Sequence, residues 1–316
     1  MMEFDYSVLE QLVMKARWSV PGQVILSILK WIFLVLESLL KAAYRNFLPY
    51  AVQPKKDLNG QTVLITGAGG GIGHEIARKL AIEGCRLVLW DMNTVLNDQT
   101  AQICENLGAK VYCQKVDVTD RHAVYRAADE ACQNFGQIDI LINNAGLLNP
   151  LPFMEIEDDR MSTLVDVNVK ALFWTAKAFV PRFIDQGHGH IVTMGSVASI
   201  FGAPSLVDYG ASKFAAFGFM ESLCYQLLEQ GHTEIKFTTI CPYYVKTPMI
   251  DKLSINDSRI SFLDPDWVAE RVIRAIRLEQ RVLILPALMS FLYTLRGILP
   301  WNLFQSIVQG RRARFC

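Results

Sequence analysis

Tyr209 and Lys213 stand four residues apart in the stretch Tyr-Gly-Ala-Ser-Lys. At the start of a helix that spacing puts both side chains on one face, one turn apart, with an ammonium close to a phenol. A neighbouring positive charge favours phenolate, so a group that ordinarily titrates at about 10 becomes able to exchange protons nearer neutrality. None of the other nine tyrosines has a lysine at the fourth following position. An isolated pair of this kind is ordinarily a helix start with a surface lysine, so its meaning rests on its companions. Ser196 follows Gly195 at the end of an apolar run, thirteen residues before Tyr209. Asn168 lies among apolar residues in a helical pattern running from about 157 to 186.

The elements that must position these groups read as alternating strands and helices. Residues 62–66 (TVLIT) form a continuous apolar, β-branched run suited to a strand buried on both faces. It leads into Gly67-Ala-Gly-Gly-Gly71-Ile72-Gly73 and a helical pattern through Gly84. Strand, glycine turn and helix form a phosphate-binding arrangement: glycines let the backbone approach a pyrophosphate, and the helix N-terminus faces its charge. A second strand, 86–90, ends in Asp91, twenty residues beyond Gly71. An acid there accepts hydrogen bonds from ribose hydroxyls and repels a 2′-phosphate, and Met92 and Asn93 supply no arginine, which selects NAD over NADP. Further units follow: strand 110–116 ending at Asp117-Val118, helix 121–135, strand 138–142 running into Asn143-Asn144-Ala-Gly146, strand 189–195, and strand 235–240 running into 241–249 (CPYYVKTPM). The alternation predicts an α/β fold with a parallel, doubly wound sheet and right-handed crossovers. Asn143 and Asn144 by themselves read as turn residues. His188 and His190 in GHGH read as turn and surface residues rather than metal ligands, and no metal site is expected.

Taken together, TGAGGGIG at 66–73, Asp117 in DVTD, NNAG at 143–146, Asn168, Ser196 and YGASK at 209–213 resemble the short-chain dehydrogenase/reductase superfamily over roughly residues 58–285. VLWDMN, DYGASKFAAFGFMESL and CPYYVKTPM are similar to its membrane- and lipid-droplet-associated retinol and 17β-hydroxysteroid dehydrogenases. The resemblance implies a Rossmann-type sheet of about seven strands, NAD(P) binding, and hydride transfer at an alcohol or ketone carbon. It implies Tyr209 as catalytic base, Lys213 lowering its pKa and holding the nicotinamide ribose, Ser196 on the substrate oxygen, and Asn168 at a helix kink positioning a water. It also implies Asp117 at the adenine edge, Val118 beside it, Asn144 lining the cleft and Thr247 at the carboxamide. Together with Gly67, Gly71, Ile72, Gly73 and Asp91 these make up the expected cofactor site. Pro242-Tyr243 departs from the family's proline-glycine at the substrate entrance, and Gly195 stands where a second serine is usual.

Lysine plus arginine equals aspartate plus glutamate at 31 each, which gives no electrostatic footprint for nucleic acid. Seven cysteines without a CxxC pair read as reduced, mostly buried thiols. The hydrophobic fraction of 51% is concentrated at the two ends. Residues 24–40 (VILSILKWIFLVLESLL) are 17 residues broken only by Lys30 and Glu37 among charged types, and are expected to be a retained membrane anchor in a leader of 1–56. Crossing the bilayer and lying in its interface both stay open, while a cleaved signal peptide fits the late start and acidic leader poorly. Lys41, Arg45, Lys55 and Lys56 follow the run, placing the catalytic domain (57–285) on the cytosolic side of the endoplasmic reticulum or a lipid droplet, with the Asn256-Asp-Ser sequon bare. Residues 248–266 carry Met249, Ile250, Leu253, Ile255, Ile260 and Phe262 where the family has its substrate lid, and Leu148, Phe201 and Leu206 fall near the expected pocket, so the expected substrate is a lipophilic alcohol. The extension 286–316 is apolar and aromatic and contains Arg311, Arg312 and Arg314; it is expected to touch an anionic membrane, with packing on the domain or on a second copy in a homodimer as the alternative. Two rival functions stand beside an NAD-dependent dehydrogenase: an NADPH-dependent carbonyl reductase, and an NAD-binding coat protein with incidental turnover.

Overall fold

The computed structural model describes residues 20–47, 50–250 and 261–304. The chain divides into two units, Met1–Lys55 and Lys56–Cys316. In the first, the apolar run forms one helix, α1 (Val20–Phe47), followed by a single helical turn at Tyr50–Val52. Val24, Ile28, Leu29, Trp31, Ile32 and Leu36 stand exposed on α1, with Trp31 at 71%. Among the described residues, no helix is long and apolar enough to cross a membrane.

The second unit is built on seven parallel strands: β1 (Thr62–Thr66), β2 (Arg86–Asp91), β3 (Val111–Lys115), β4 (Ile140–Asn143), β5 (Gly189–Met194), β6 (Ile235–Pro242) and β7 (Val282–Leu285). Their order is β3-β2-β1-β4-β5-β6-β7. All five residues of β1 are buried, because alternate side chains enter different cores. Val63 and Ile65 join Leu87, Leu89, Ile140 and Ile142 on one face. Leu64 joins Val88, Trp90 and Leu141 on the other. A run apolar at every position is what a strand covered on both sides requires.

Helices α2 (Gly71–Ile82), α3 (Thr94–Asn106) and α8 (Pro265–Arg277) cover the first face. Helices α4 (Arg121–Phe135), α6 (Ala171–Gln186) and α7 (Val207–Glu229) cover the second. Asn93, Asp120 and Asp264 cap α3, α4 and α8 by accepting first-turn backbone N–H groups. The sheet reverses winding direction between β1 and β4, and the crevice beyond their carboxyl ends is where such folds hold ligands.

Three details differ from the sequence reading. The helical stretch of 157–186 is two helices, α5 (Asp158–Val165) and α6, joined by a π turn at Asp166–Lys170 that contains Asn168. Strand β7, too short to stand out between α8 and an apolar tail, pairs with β6 and extends the sheet. His190 is not a surface residue: it is fully buried in β5, its Nε2 is 2.8 Å from Thr238 Oγ1, and burial pushes its pKa down to about 3. In β5 the side chains alternate about an axis deep in the sheet, so a polar residue inherits the burial of its register. His188, in contrast, is exposed and lies 2.8 Å from Asp139. No group of three metal-binding side chains occurs among the described residues.

Candidate active site

The turn after β1 approaches its neighbours too closely for side chains. Gly67 and Gly71 have φ of +65° and +55°. A Cβ on Gly73 would fall 2.2 Å from Gly67 O and 2.5 Å from Asn144 Nδ2. Asn144 ties the turn to β4, its Nδ2 donating to Gly67 O at 2.8 Å and to Thr66 O at 3.1 Å. Helix α2 therefore starts at the crevice with a glycine N-cap and no side chain over its first N–H groups, which are free to meet an anion. Asp91, at the end of β2, accepts from Gly69 N and Asn93 N at 2.8 Å each, which fixes its carboxylate beside the turn. Asp117 accepts from the Thr119 backbone at 2.9 Å and hydroxyl at 2.7 Å, and Val118 beside it is buried. Thr247, beyond β6, reaches across to within 3.5 Å of a Cβ built on Gly71. These residues fit a dinucleotide: a close backbone cradle, an uncapped helix end, and a carboxylate placed for ribose hydroxyls.

The reacting groups lie on β5, α7 and the π turn. Ser196 caps the short helix Val197–Ser199 after β5, its Oγ accepting from Ala198 N at 3.1 Å, and its hydroxyl lies close enough to the Tyr209 phenol to lower its pKa. Lys213 is buried and donates to Met194 O at 2.8 Å, with Nζ 5.6 Å from the Tyr209 ring centroid. Asn168 donates to Ser212 Oγ at 3.0 Å and to Leu147 O at 2.9 Å, and accepts from Leu147 N at 2.8 Å. A Cβ on Gly146 would lie 3.4 Å from Asn168 Oδ1 and 3.7 Å from Lys213 Nζ, which leaves these groups around one small space.

Electrostatics in the protein alone run against the simple pairing argument. Burial pushes Tyr209 up to about 12, against a smaller lowering by the Ser196 hydrogen bond. Burial likewise brings Lys213 down to about 8. The ammonium stands beside the ring but is committed to Met194 O, and desolvation of both groups outweighs their attraction.

One cavity of about 1390 Å³ joins the two halves of the site. Gly67, Gly71, Ile72, Asp91, Asp117, Val118, Asn144 and Thr247 line one end, and Ser196, Tyr209 and Lys213 the middle. Leu148, Phe201, Leu206, Met249 and Ile250 continue it as an apolar wall. Gly73 and Asn168 stand behind the lining, buried. Leu253, Ile255 and Ile260 fall outside the described residues, as does the Asn256 sequon. Met289 and Leu292, on α9 (Ala287–Arg296), also line the cavity. The sequence marked that tail for a membrane; their helical spacing of three was the available signal. The tail does pack on the domain in part: Phe201 and Phe304 rings stack at 5.8 Å, and Arg296 donates to Ile200 O. Its other face leaves Leu288, Phe291, Ile298 and Trp301 exposed.

The short chain dehydrogenase family model matches residues 61–258. Epidermal retinol dehydrogenase 2 of Mus musculus is 41% identical over 250 residues, 78% of this chain and 81% of that protein. Human estradiol 17-beta-dehydrogenase 11 is 38% identical over 276 residues, 87% and 90% of the two chains. Among solved structures, a short-chain dehydrogenase/reductase from Burkholderia phymatum in complex with NAD superposes with a TM-score of 0.71 at 26% identity, covering 83% of this chain and 99% of its own.

Proposed function

The chain belongs to the short-chain dehydrogenase/reductase family, and from that premise we propose that it is an NAD-dependent dehydrogenase of a lipophilic alcohol, retinoid- or hydroxysteroid-like. The observation that carries this reading is the single cavity running from the glycine turn and Asp91, past Ser196 and Tyr209, to an apolar wall. Bound NAD supplies the hydride acceptor. Gly67, Gly71 and Ile72 would hold its pyrophosphate at the start of α2, with Gly73 packed behind them, Asp91 would hold its adenosine ribose, Asp117 and Val118 its adenine and Thr247 its carboxamide, with Asn144 lining the cleft. Asp91 disfavours a 2′-phosphate by like charge.

Tyr209 takes the proton from the substrate hydroxyl as that bond breaks. Ser196, beside the Tyr209 phenol, orients the same oxygen and stabilises its developing charge. Lys213 supplies positive charge beside the phenol and a donor toward the nicotinamide ribose. Asn168 holds the helix start and Leu147 in register behind them. One observation favours the reverse, carbonyl-reducing direction as a second reading: the buried phenol holds its proton up to about 12. Exposed apolar residues on α1 and around α9 support contact with a lipid surface, which the reading assigns to the endoplasmic reticulum or a lipid droplet, and Lys41, Arg45, Lys55 and Lys56 after the apolar run support a cytosolic catalytic unit.

The test is nicotinamide reduction by detergent-purified full chain with NAD or NADP, across retinol, hydroxysteroid and long-chain alcohols. Turnover with NAD on one class, reduced at least about 100-fold in Tyr209→Phe, is the expected result. Asp91→Ala is expected to narrow the preference for NAD; equal use of both dinucleotides by the unaltered protein would refute the role given to Asp91. NAD binding without turnover in either direction would shift the reading to the coat protein.

A further inference from the structure

Both backbone polar groups of Tyr209 are held by side-chain relays that end on one short segment, 147–149, at the mouth of β4. On the N–H side, Tyr209 N donates to Asp208 Oδ1 at 2.8 Å, and Asp208 Oδ2 accepts from Asn149 Nδ2 at 2.7 Å. On the carbonyl side, Ser212 Oγ donates to Tyr209 O at 2.7 Å and accepts from Asn168 Nδ2, which also holds Leu147 through both of its backbone groups. The inventory closes: the two Nδ2 hydrogens of Asn168 serve Leu147 O and Ser212, and the single Ser212 hydroxyl hydrogen serves Tyr209. Asn149 spends its second amide hydrogen on Arg160 O at 3.3 Å.

Neither end of the N–H relay is a surface accident. Asn149 and Asp208 are 5% and 7% exposed. A carboxylate buried to that degree needs donors, and Tyr209 N–H and the Asn149 amide supply them. First-turn N–H groups of a helix have no partner within it, so Asp208 also satisfies a group that α7 would leave open. Leu147, itself one anchor point, and Leu148, between it and Asn149, line the cavity.

We infer that Asn149 and Asp208 are positioning residues that couple occupation of the Leu147–Leu148 wall to the placement of the Tyr209 backbone, so that substrate bulk improves proton transfer as well as binding. The inference rests on the dehydrogenase reading above. Its physical lever is steep: misplacing a reacting group by about 1 Å costs roughly 100-fold in rate.

The experiment compares 1-propanol with 1-decanol as substrates of full-length wild type, Asn149→Ala and Asp208→Asn. In Asn149→Ala, kcat for 1-decanol is expected to fall about tenfold more than kcat for 1-propanol, with KM for each moving less than about threefold. In Asp208→Asn a single amide oxygen must serve both the Tyr209 N–H and the Asn149 amide, and kcat for 1-decanol is expected to fall selectively in the same way. Without turnover, 1-decanol is expected to slow backbone amide exchange over residues 207–213 in wild type and not in Asn149→Ala. Equal losses on both alcohols in either variant, or identical exchange in wild type and Asn149→Ala, would overturn the coupling. A wild type that oxidises neither of these alcohols nor retinol nor a hydroxysteroid, while 1-decanol still slows exchange, would sink the dehydrogenase reading and leave the coupling of the wall to the Tyr209 backbone standing.

Discussion

Tyr209 and Lys213 are both desolvated, and their ordinary titration ranges change places in consequence: the phenol rises to about 12 and the amine falls to about 8. The ammonium beside the ring, held by Met194 O, is thus carried into the folded protein at a cost on the order of 3 kcal/mol at neutral pH. The folded state binds fewer protons than the unfolded between about 8 and the ordinary lysine value of 10.5, so the Lys213 contribution to stability rises with pH across that window. Lys213→Met is therefore expected to lose activity yet to be more stable than wild type at pH 7 by about 1 kcal/mol, after allowance for the lost hydrogen bond. That advantage should vanish by about pH 9 and turn into an advantage of about 2 kcal/mol for wild type by pH 10.5. Urea unfolding of both proteins at pH 7, 9 and 10.5 measures it, and a gap that does not change with pH would contradict the assignment. The types and spacing of Ser196, Tyr209 and Lys213 were legible in the sequence; the direction of the pKa shifts was not, because desolvation depends on residues such as Met194 and Cys241 that arrive from other strands.

At the scale of elements, β5 and the π turn carry information that periodicity hides. His190 stands in β5 with Nδ1 buried and without a hydrogen-bond partner among the described residues. Its folded form stays neutral down to about 3, whereas an unfolded histidine takes a proton below about 6.5. The unfolded state then binds the extra proton, and this part of stability is lost as the pH falls from about 6.5 toward 3. In His190→Gln the acid side of the stability curve should flatten. Urea midpoints at pH 7, 5.5 and 4.5 should converge with those of wild type, by on the order of 2 kcal/mol at the lowest pH. Parallel curves would place the acid sensitivity elsewhere. GHGH reads as a turn because two glycines flank it, yet Gly189 exists because a Cβ there would strike the Phe183 ring at 2.2 Å. Asn168 was visible as a polar residue among apolar ones; that it sits in a π turn, with its side chain fully spent on Leu147 and Ser212, follows from contacts 21 and 44 residues away.

For the molecule as a whole, the apolar ends are the open question of place. The exposed residues of α1 and the uncovered face around α9 support attachment to a lipid surface, which is also where a lipophilic alcohol partitions. Deleting residues 1–45 is expected to move the protein from the membrane pellet to the supernatant in a sedimentation assay. Retention in the pellet would make the segment around α9 and its arginines a sufficient anchor.

The sequence by itself determined the buried-strand runs, the glycine turn, the order of the motifs and the identities of the reacting groups, since each is a local pattern with a local physical cause. Tertiary structure alone decided that Val282–Leu285 is the seventh strand and pairs with β6, that α9 helps to wall the cavity, and that Tyr209 is held at both backbone groups from the segment 147–149. Burial and register are set by what packs against a residue, and in this fold those partners come from strands and helices tens of residues away.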